Sequence, residues 1–204
     1  MTMLWGRTLL ARYEAATSGY LDAMGWFRTR AARRALDAQG APIPWFTYPA
    51  IALLSERIDA GWRVLEFGSG MGTLWWSQRV ADHVAIEHDA AWAELIAKQT
   101  RATIHRVDGA TAAAYVAPVE GQERFDVVIV DGIHRNECLL AARDLVVPDG
   151  IVILDDAQRP EYASGVDALR AAGFRMLPLH GPQPVSKHAG CTAILYRPDN
   201  VLGL

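Results

Sequence analysis

From residue 62 onward, short β-branched runs alternate with longer alanine-rich stretches of helical spacing, and an acidic residue stands at or just beyond the end of five successive runs. The runs predict strands over Arg63–Phe67, His83–Glu87, Thr103–Val107, Phe125–Val130, Gly150–Leu154, Arg175–Leu179 and Cys191–Arg197. The stretches between them predict helices over Leu74–Val80, Ala91–Thr100, Ala110–Tyr115, Glu137–Val146 and Gly165–Ala172. Such alternation builds parallel βαβ units and a doubly wound sheet. Val127 to Val130 and Ile151 to Leu154 are apolar without interruption, as central strands buried on both faces should be. No helix fits between the last two runs, where Pro178 to Gly190 is rich in turn residues, so they are expected to pair as an antiparallel hairpin with a long loop.

The acids are Glu66, Glu87, Asp108, Asp131 and the pair Asp155-Asp156, separated by 21, 21, 23 and 24 residues, about one βα unit each. Parallel strands place all their carboxyl ends on one edge of the sheet, where open α/β sheets bind ligands. Asp is common in turns after strands, which explains any one of these residues but not the series. Carboxylates gathered on one rim repel one another unless polar or cationic groups join them.

Composition narrows the remaining classes. At 204 residues with 51% hydrophobic and 21% charged residues, the chain has the make-up of one globular core and not of a disordered segment. The net charge of −3 divides unevenly, because residues 1–47 carry +3 and the rest −6. That balance gives no electrostatic reason to expect nucleic acid or an anionic membrane as partner; a small-molecule substrate is expected, and a homo-oligomer is compatible with it. No apolar run reaches the roughly eighteen residues of a membrane span, and the N-terminus lacks the basic-then-apolar order of a secretory signal. Cys138 and Cys191 have no metal-binding or redox spacing and lie in apolar surroundings, so they read as small buried hydrophobes. A cytoplasmic protein is expected. Residues 1–47 hold two apolar helical patterns, Leu4–Tyr13 and Tyr20–Leu36, and end at the helix-breaking Gln39 to Pro44. They form either a pair of cap helices with a solvated basic face or a lid over a site in residues 48–204.

The turn after the first strand reads Glu66-Phe67-Gly68-Ser69-Gly70-Met71-Gly72-Thr73. Glycines permit a tight turn and a close backbone approach to a ligand. A dinucleotide fingerprint wants its third glycine where Thr73 stands, and Glu66 would oppose a pyrophosphate. A carboxylate there suits a cationic nucleoside-type ligand better.

Val64-Leu65-Glu66-Phe67-Gly68-Ser69-Gly70-Met71-Gly72 resembles the first motif of the class I S-adenosylmethionine-dependent methyltransferases, usually written E/D-x-G-x-G-x-G. The resemblance spans about residues 60–197 and implies a Rossmann-like, seven-stranded, mostly parallel sheet with an antiparallel last strand, plus N-terminal helices. It implies S-adenosylmethionine as cofactor, with Glu66, Gly68, Ser69, Gly70, Gly72 and Thr73 around its methionine portion. Glu87, with His88 beside it, is similar to the acid that holds the ribose hydroxyls, and Asp108-Gly109 to the residues at the adenine. Asp131 is similar to the acid facing the transferring methyl. Pro148-Asp149-Gly150 resembles the loop before the fifth strand, with Asp149 in place of a glycine, and Trp45–Ile51 is expected to close over the cofactor.

Transfer to oxygen or nitrogen needs a general base or a metal. His134, three residues beyond Asp131, stands where the metal-dependent catechol and caffeoyl-CoA O-methyltransferases carry a lysine base, so Asp131 and His134 are the catalytic candidates. Asp131, Asp155 and Asp156 resemble the metal ligands of those enzymes and of macrocin-type sugar O-methyltransferases, and three hard oxygens would suit Mg²⁺. Equally, Arg135 and Arg159 stand beside the two acidic turns and would neutralise them without any metal. The Gly181–His188 loop is either a substrate-binding loop or a surface connection. The tryptophans, Trp75 and Trp76 among them, read mostly as packing. The leading expectation is methyl transfer to a small molecule at oxygen. A non-catalytic S-adenosylmethionine-binding protein and a nicotinamide-dependent oxidoreductase are the rivals.

Overall fold

A computed structural model describes residue 9, residues 11–14 and residues 19–204 of the chain. Seven strands form one sheet in the order β3-β2-β1-β4-β5-β7-β6. In chain order they are β1 (Arg63–Phe67), β2 (Asp82–Glu87), β3 (Thr103–Arg106), β4 (Phe125–Val130), β5 (Val146–Leu154), β6 (Arg175–Pro182) and β7 (Ala189–Tyr196). β1 to β5 are mutually parallel, and β7 lies antiparallel between β5 and β6. This is the doubly wound, Rossmann-like arrangement that the alternating pattern predicts.

Val127 to Val130 and Ile151 to Leu154 are buried throughout, because helices cover both faces. On one face Leu65, Phe67, Val128, Val130, Val152 and Leu154 meet Tyr115, Leu139 and Leu169 from helices Ala112–Val116, Arg135–Leu145 and Ala163–Ala171. On the other, Val64, Val127, Ile129 and Ile153 meet Trp75 and Trp76 from helix Met71–Ser77, and Tyr48 and Leu54 from helix Tyr48–Arg57. Ala35, Ile43 and Phe46 enter that second layer, so this part of the basic N-terminal segment shares the core of the sheet.

Three expectations about elements need correction. The Tyr20–Leu36 pattern is two short helices, α1 (Tyr20–Ala23) and α2 (Trp26–Ala32). Gly25 separates them with φ +79°, and a β-carbon there would stand 2.4 Å from the backbone of Asp37 and Ala38. β5 starts at Val146 and not at Gly150. The hairpin is longer than expected, pairing Arg175 with Tyr196 through to Pro182 with Ala189. Its proline-bearing strand β6 is the edge of the sheet, where a missing N–H costs no ladder bond on the open side. Of the Leu4–Tyr13 pattern only residue 9 and residues 11–13 lie among those described, and they are helical and exposed.

The strand order turns back between β1 and β4, and there the chain leaves the sheet through Gly68 and Gly132. Gly68 has φ +103°, and a β-carbon on it would lie 2.9 Å from Gly132 N. The two backbones are in contact, and the crevice opens above them.

Candidate active site

Glu66 ends β1 almost wholly buried, at 4% exposure. Its Oε2 accepts a hydrogen bond from Thr73 Oγ1 at 2.5 Å, and Thr73 Oγ1 accepts from Gly70 N at 2.9 Å. Thr73 lies beneath the loop instead of on its surface, fixing Glu66 to the glycine turn; a glycine at this position would leave Glu66 without that donor. His83, buried on β2, brings Nε2 to 3.4 Å from the same Glu66 oxygen. Its role as neighbour of Glu66 was not apparent in the sequence, since nothing marks it apart from other strand residues.

Glu87 ends β2 and is also buried. Its Oε2 accepts from Ser69 N and Ser69 Oγ, at 3.0 and 2.9 Å. Its Oε1 accepts from the backbone N–H groups of His88 and Asp89, both at 2.8 Å. Among these partners the Ser69 hydroxyl is the one that rotates freely, so a ligand hydroxyl has a place to enter. Trp92 donates from Nε1 to Ser69 O at 2.7 Å and forms a flat wall beside it.

These residues line a cavity of about 480 Å³. Glu66, Gly68, Ser69, Gly70, Met71 and Gly72 floor one part, and Glu87, His88, Asp89, Trp92 and Ile133 another. Arg33, Arg34, Pro44, Trp45 and Phe46 from the N-terminal segment cover it, and Asp131 and Gly132 close the side toward β4. Four carboxylates against two guanidiniums make it favour a cation. An acid at each end, glycines that allow close approach and an aromatic wall fit the sulfonium, amino, diol and adenine parts of S-adenosylmethionine.

A second cavity of about 410 Å³ adjoins the first and is lined by Trp45, Asp131, Asp155, Asp156, Arg159, Gln183 and Ser186. Asp131 and Trp45 line both. Arg135 organises the shared wall: Nη2 donates to Asp131 Oδ1 and to Asp131 O, both at 2.9 Å, Nε to Gly132 O at 3.0 Å, and Nη1 to Asp155 O at 2.6 Å. One guanidinium thereby ties the end of β4 to the end of β5. Burial pushes the Asp131 carboxyl up to about 7 despite Arg135, with Glu66 and Asp156 adding repulsion. Burial and the neighbouring Asp131 push Asp155 well above the usual carboxylate range, although Thr192 donates to its Oδ1 at 2.6 Å.

The outer side of the second cavity is held by contacts that run the length of the chain. Trp26 Nε1 donates to Ser186 O at 3.0 Å, Arg30 Nη1 to Val185 O at 2.7 Å, and Val185 N to Thr29 Oγ1 at 2.7 Å. The Gln183–His188 connection is therefore a wall of the cavity bound to α2. Trp45, from the segment expected to close over the cofactor, lines both cavities, and Trp92 lines the first instead of only packing, which its isolated position in the sequence did not indicate.

Not every expected site residue converges. Asp108 is exposed, lines neither cavity and accepts from Ala110 N at 2.9 Å, capping its own turn. Gly109 is likewise outside both linings; its carbonyl lies 2.8 Å from His134 Nε2. His134, the other catalytic candidate, lines neither cavity: its backbone is left-handed, φ 51°, and its ring lies against Gly109 O and Tyr115. The proposed Mg²⁺ ligands fare similarly. Asp131, Asp155 and Asp156 share the second cavity, yet among the described residues no group of three or more acidic, His or Cys side chains is arranged to hold a metal ion. Asp131 is paired with Arg135, Asp156 with Arg159 at 2.5 Å, and Asp155 with Thr192. The cationic partners occupy the places that a cation would fill, so the set does not fit a resident Mg²⁺.

A protein family described as "Methyltransferase domain" matches residues 65–157, from β1 to just past β5. No curated protein matches the chain in sequence. Among solved structures, the chain resembles a precorrin-6y C5,15-methyltransferase from Geobacter metallireducens, with 13% identity and TM-score 0.57 over 73% of this chain and 87% of that one. A methyltransferase-like protein from Silicibacter pomeroyi is 22% identical with TM-score 0.54, over 76% and 90% of the two chains. A 16S rRNA N2 G1207 methyltransferase from T. thermophilus, solved with AdoMet and guanosine, is 17% identical with TM-score 0.54, over 74% and 43%.

Proposed function

We propose that this chain is a class I S-adenosylmethionine-dependent methyltransferase and that it transfers the methyl group to an oxygen of a small polar molecule held in the second cavity, a reading that the match of residues 65–157 to a methyltransferase domain supports. The observation that carries the reading is the meeting of the two cavities at Asp131 and Trp45. A donor in one and an acceptor in the other would face each other across that wall, and displacement at a sulfonium carbon asks mainly for such positioning.

Bound S-adenosylmethionine supplies an electrophilic methyl group and leaves as a neutral thioether. Glu66 and Glu87 bind it, and the glycine turn lets it lie against the backbone. Asp131 accepts the proton of the acceptor hydroxyl as its oxygen bonds to the methyl carbon. A carboxylate titrating near 7 is matched to that task at neutral pH. Arg135 is a positioning residue that holds Asp131 and the two strand ends. Trp45 covers the reacting atoms from water, and Arg33, Arg34, Pro44 and Phe46, described residues of the 1–47 segment, act with it as a lid over residues 48–204.

Several features support a small polar acceptor over RNA. The wall of the second cavity holds three acidic side chains against one arginine, which offers the phosphates of RNA no basic surface to bind. The buried Glu66 likewise disfavours the pyrophosphate of a nicotinamide cofactor. Cys138 and Cys191 are buried and unpaired, in keeping with a reducing cytoplasm, and no helix among the described residues is long and apolar enough to cross a membrane. Isothermal titration with S-adenosylmethionine, followed by radiolabelled methyl transfer into a cell-extract metabolite fraction and into total RNA, tests the reading. Binding with label in the metabolites supports it; label confined to RNA, or no binding, overturns it.

A further inference from the structure

The cofactor cavity has two chemically different ends. Ser69, Glu87, His88 and Trp92 surround one. At the other, a β-carbon on Gly72 would lie 3.0 Å from Glu66 Oε1 and 3.7 Å from Pro44, so Glu66 and the covering segment face each other across that residue. Met71 precedes Gly72, and Arg34 Nη2 stands 3.9 Å from Met71 Sδ. A guanidinium on the covering segment and a carboxylate from β1 therefore bracket the same end of the cavity. The covering backbone is fixed at that point, because the next residue, Ala35, is 1% exposed in the core and its carbonyl accepts from Ile43 N at 3.1 Å. Arg33 also lines the cavity and adds a second positive charge.

A negative group below and a positive group above are complementary to a moiety bearing both an ammonium and a carboxylate. We propose that Arg34 recognises the carboxylate of the amino-acid portion of S-adenosylmethionine while Glu66 takes its ammonium, which makes Arg34 a specificity-determining residue of the site. This rests on the cofactor assignment above. It also explains why the basic charge of the N-terminal segment stands at an acidic site: the segment supplies the charge that the sheet edge lacks.

Two ligands separate the possibilities: S-adenosylhomocysteine, and its decarboxylated analogue, which keeps the ammonium. Dissociation constants are measured for the native chain, Arg34→Gln, Arg34→Lys and Glu66→Gln, from the fluorescence of Trp45 and Trp92. The native chain is expected to prefer S-adenosylhomocysteine, and Arg34→Gln to weaken that ligand by roughly tenfold to a hundredfold while changing the analogue less than about twofold. Arg34→Lys recovers part of the loss, and Glu66→Gln weakens both ligands. Arg34 is exposed, so a melting curve matching the native one establishes that the variant is folded. Equal losses on both ligands, or none, for a folded Arg34→Gln overturn the role of Arg34 and leave the cofactor assignment standing. A native chain that binds neither ligand overturns both.

Discussion

For Asp131 to act as the proposed base two requirements conflict, since a base must be ionised to accept a proton and a half-buried carboxylate resists ionising. The structure answers with one guanidinium, and the carboxyl titrates near 7 where an ordinary one titrates near 3.8. Turnover is therefore expected to rise as pH passes through about 7, and a profile flat from pH 5 to 9 would remove Asp131 as the base. The stability consequence has the opposite sense. Between those two values the folded chain keeps a proton that the unfolded chain has released, so stability falls as pH climbs through that window. Asp131→Asn is expected to cut turnover by about 10²- to 10⁴-fold and yet to raise the melting temperature at pH 8 by about 5 °C. A lower melting temperature would show that the pairing with Arg135 outweighs the burial. His134 gives the contrasting case. Asn tolerates its left-handed backbone, so His134→Asn is expected to keep turnover within about threefold. A loss of two orders of magnitude in steady-state rate would return the ring to the chemistry. The offset from Asp131 suggested a base because sequence spacing carries no information on which way a residue in a left-handed turn points.

At the scale of elements, strands and helices were legible because burial on both faces forces apolar runs and the carboxyl ends fall on one edge. The strand-terminal acids Glu66, Glu87, Asp131, Asp155 and Asp156 all line the two cavities, and Asp108 departs because β3 stops at Arg106 and its turn folds back on itself. Helix continuity in the N-terminal segment was less legible, since the apolar spacing runs through Gly25 while a backbone contact with Asp37 and Ala38 breaks the helix there. Gly25→Ala is expected to destabilise by about 2 kcal/mol or more in denaturant unfolding, well above the roughly 1 kcal/mol by which alanine would favour an uninterrupted helix. Gly68→Ala tests the contact between the two crossover turns. With φ +103° and Gly132 N at 2.9 Å, the added methyl is expected to push β1 and β4 apart and to weaken S-adenosylmethionine by at least about tenfold in titration.

For the whole molecule, the walls of the two cavities come from stretches far apart in the chain, which is why Trp92 and Arg34 carried no local signal, whereas Trp45 and Gln183 lie in segments that the sequence had marked. The charge division was visible from the start, but its meaning required the fold: Arg33 and Arg34 of the basic segment line one cavity with Glu66, Glu87, Asp89 and Asp131. The α2 contacts with Val185 and Ser186 join the first fifth of the chain to the last. Removing two of the three with Trp26→Phe and Arg30→Ala together is expected to raise the acceptor KM several-fold with little change in the melting temperature, and an unchanged KM would make those two contacts merely structural. The same stretch that grips this hairpin loop also sets Arg34 over the first cavity and Trp45 over both. Two ligands that share one roof are thermodynamically linked. On the proposed function, whatever factor the cofactor gains from a docked acceptor the acceptor must gain from the cofactor, a reciprocity that holds before any bond is made.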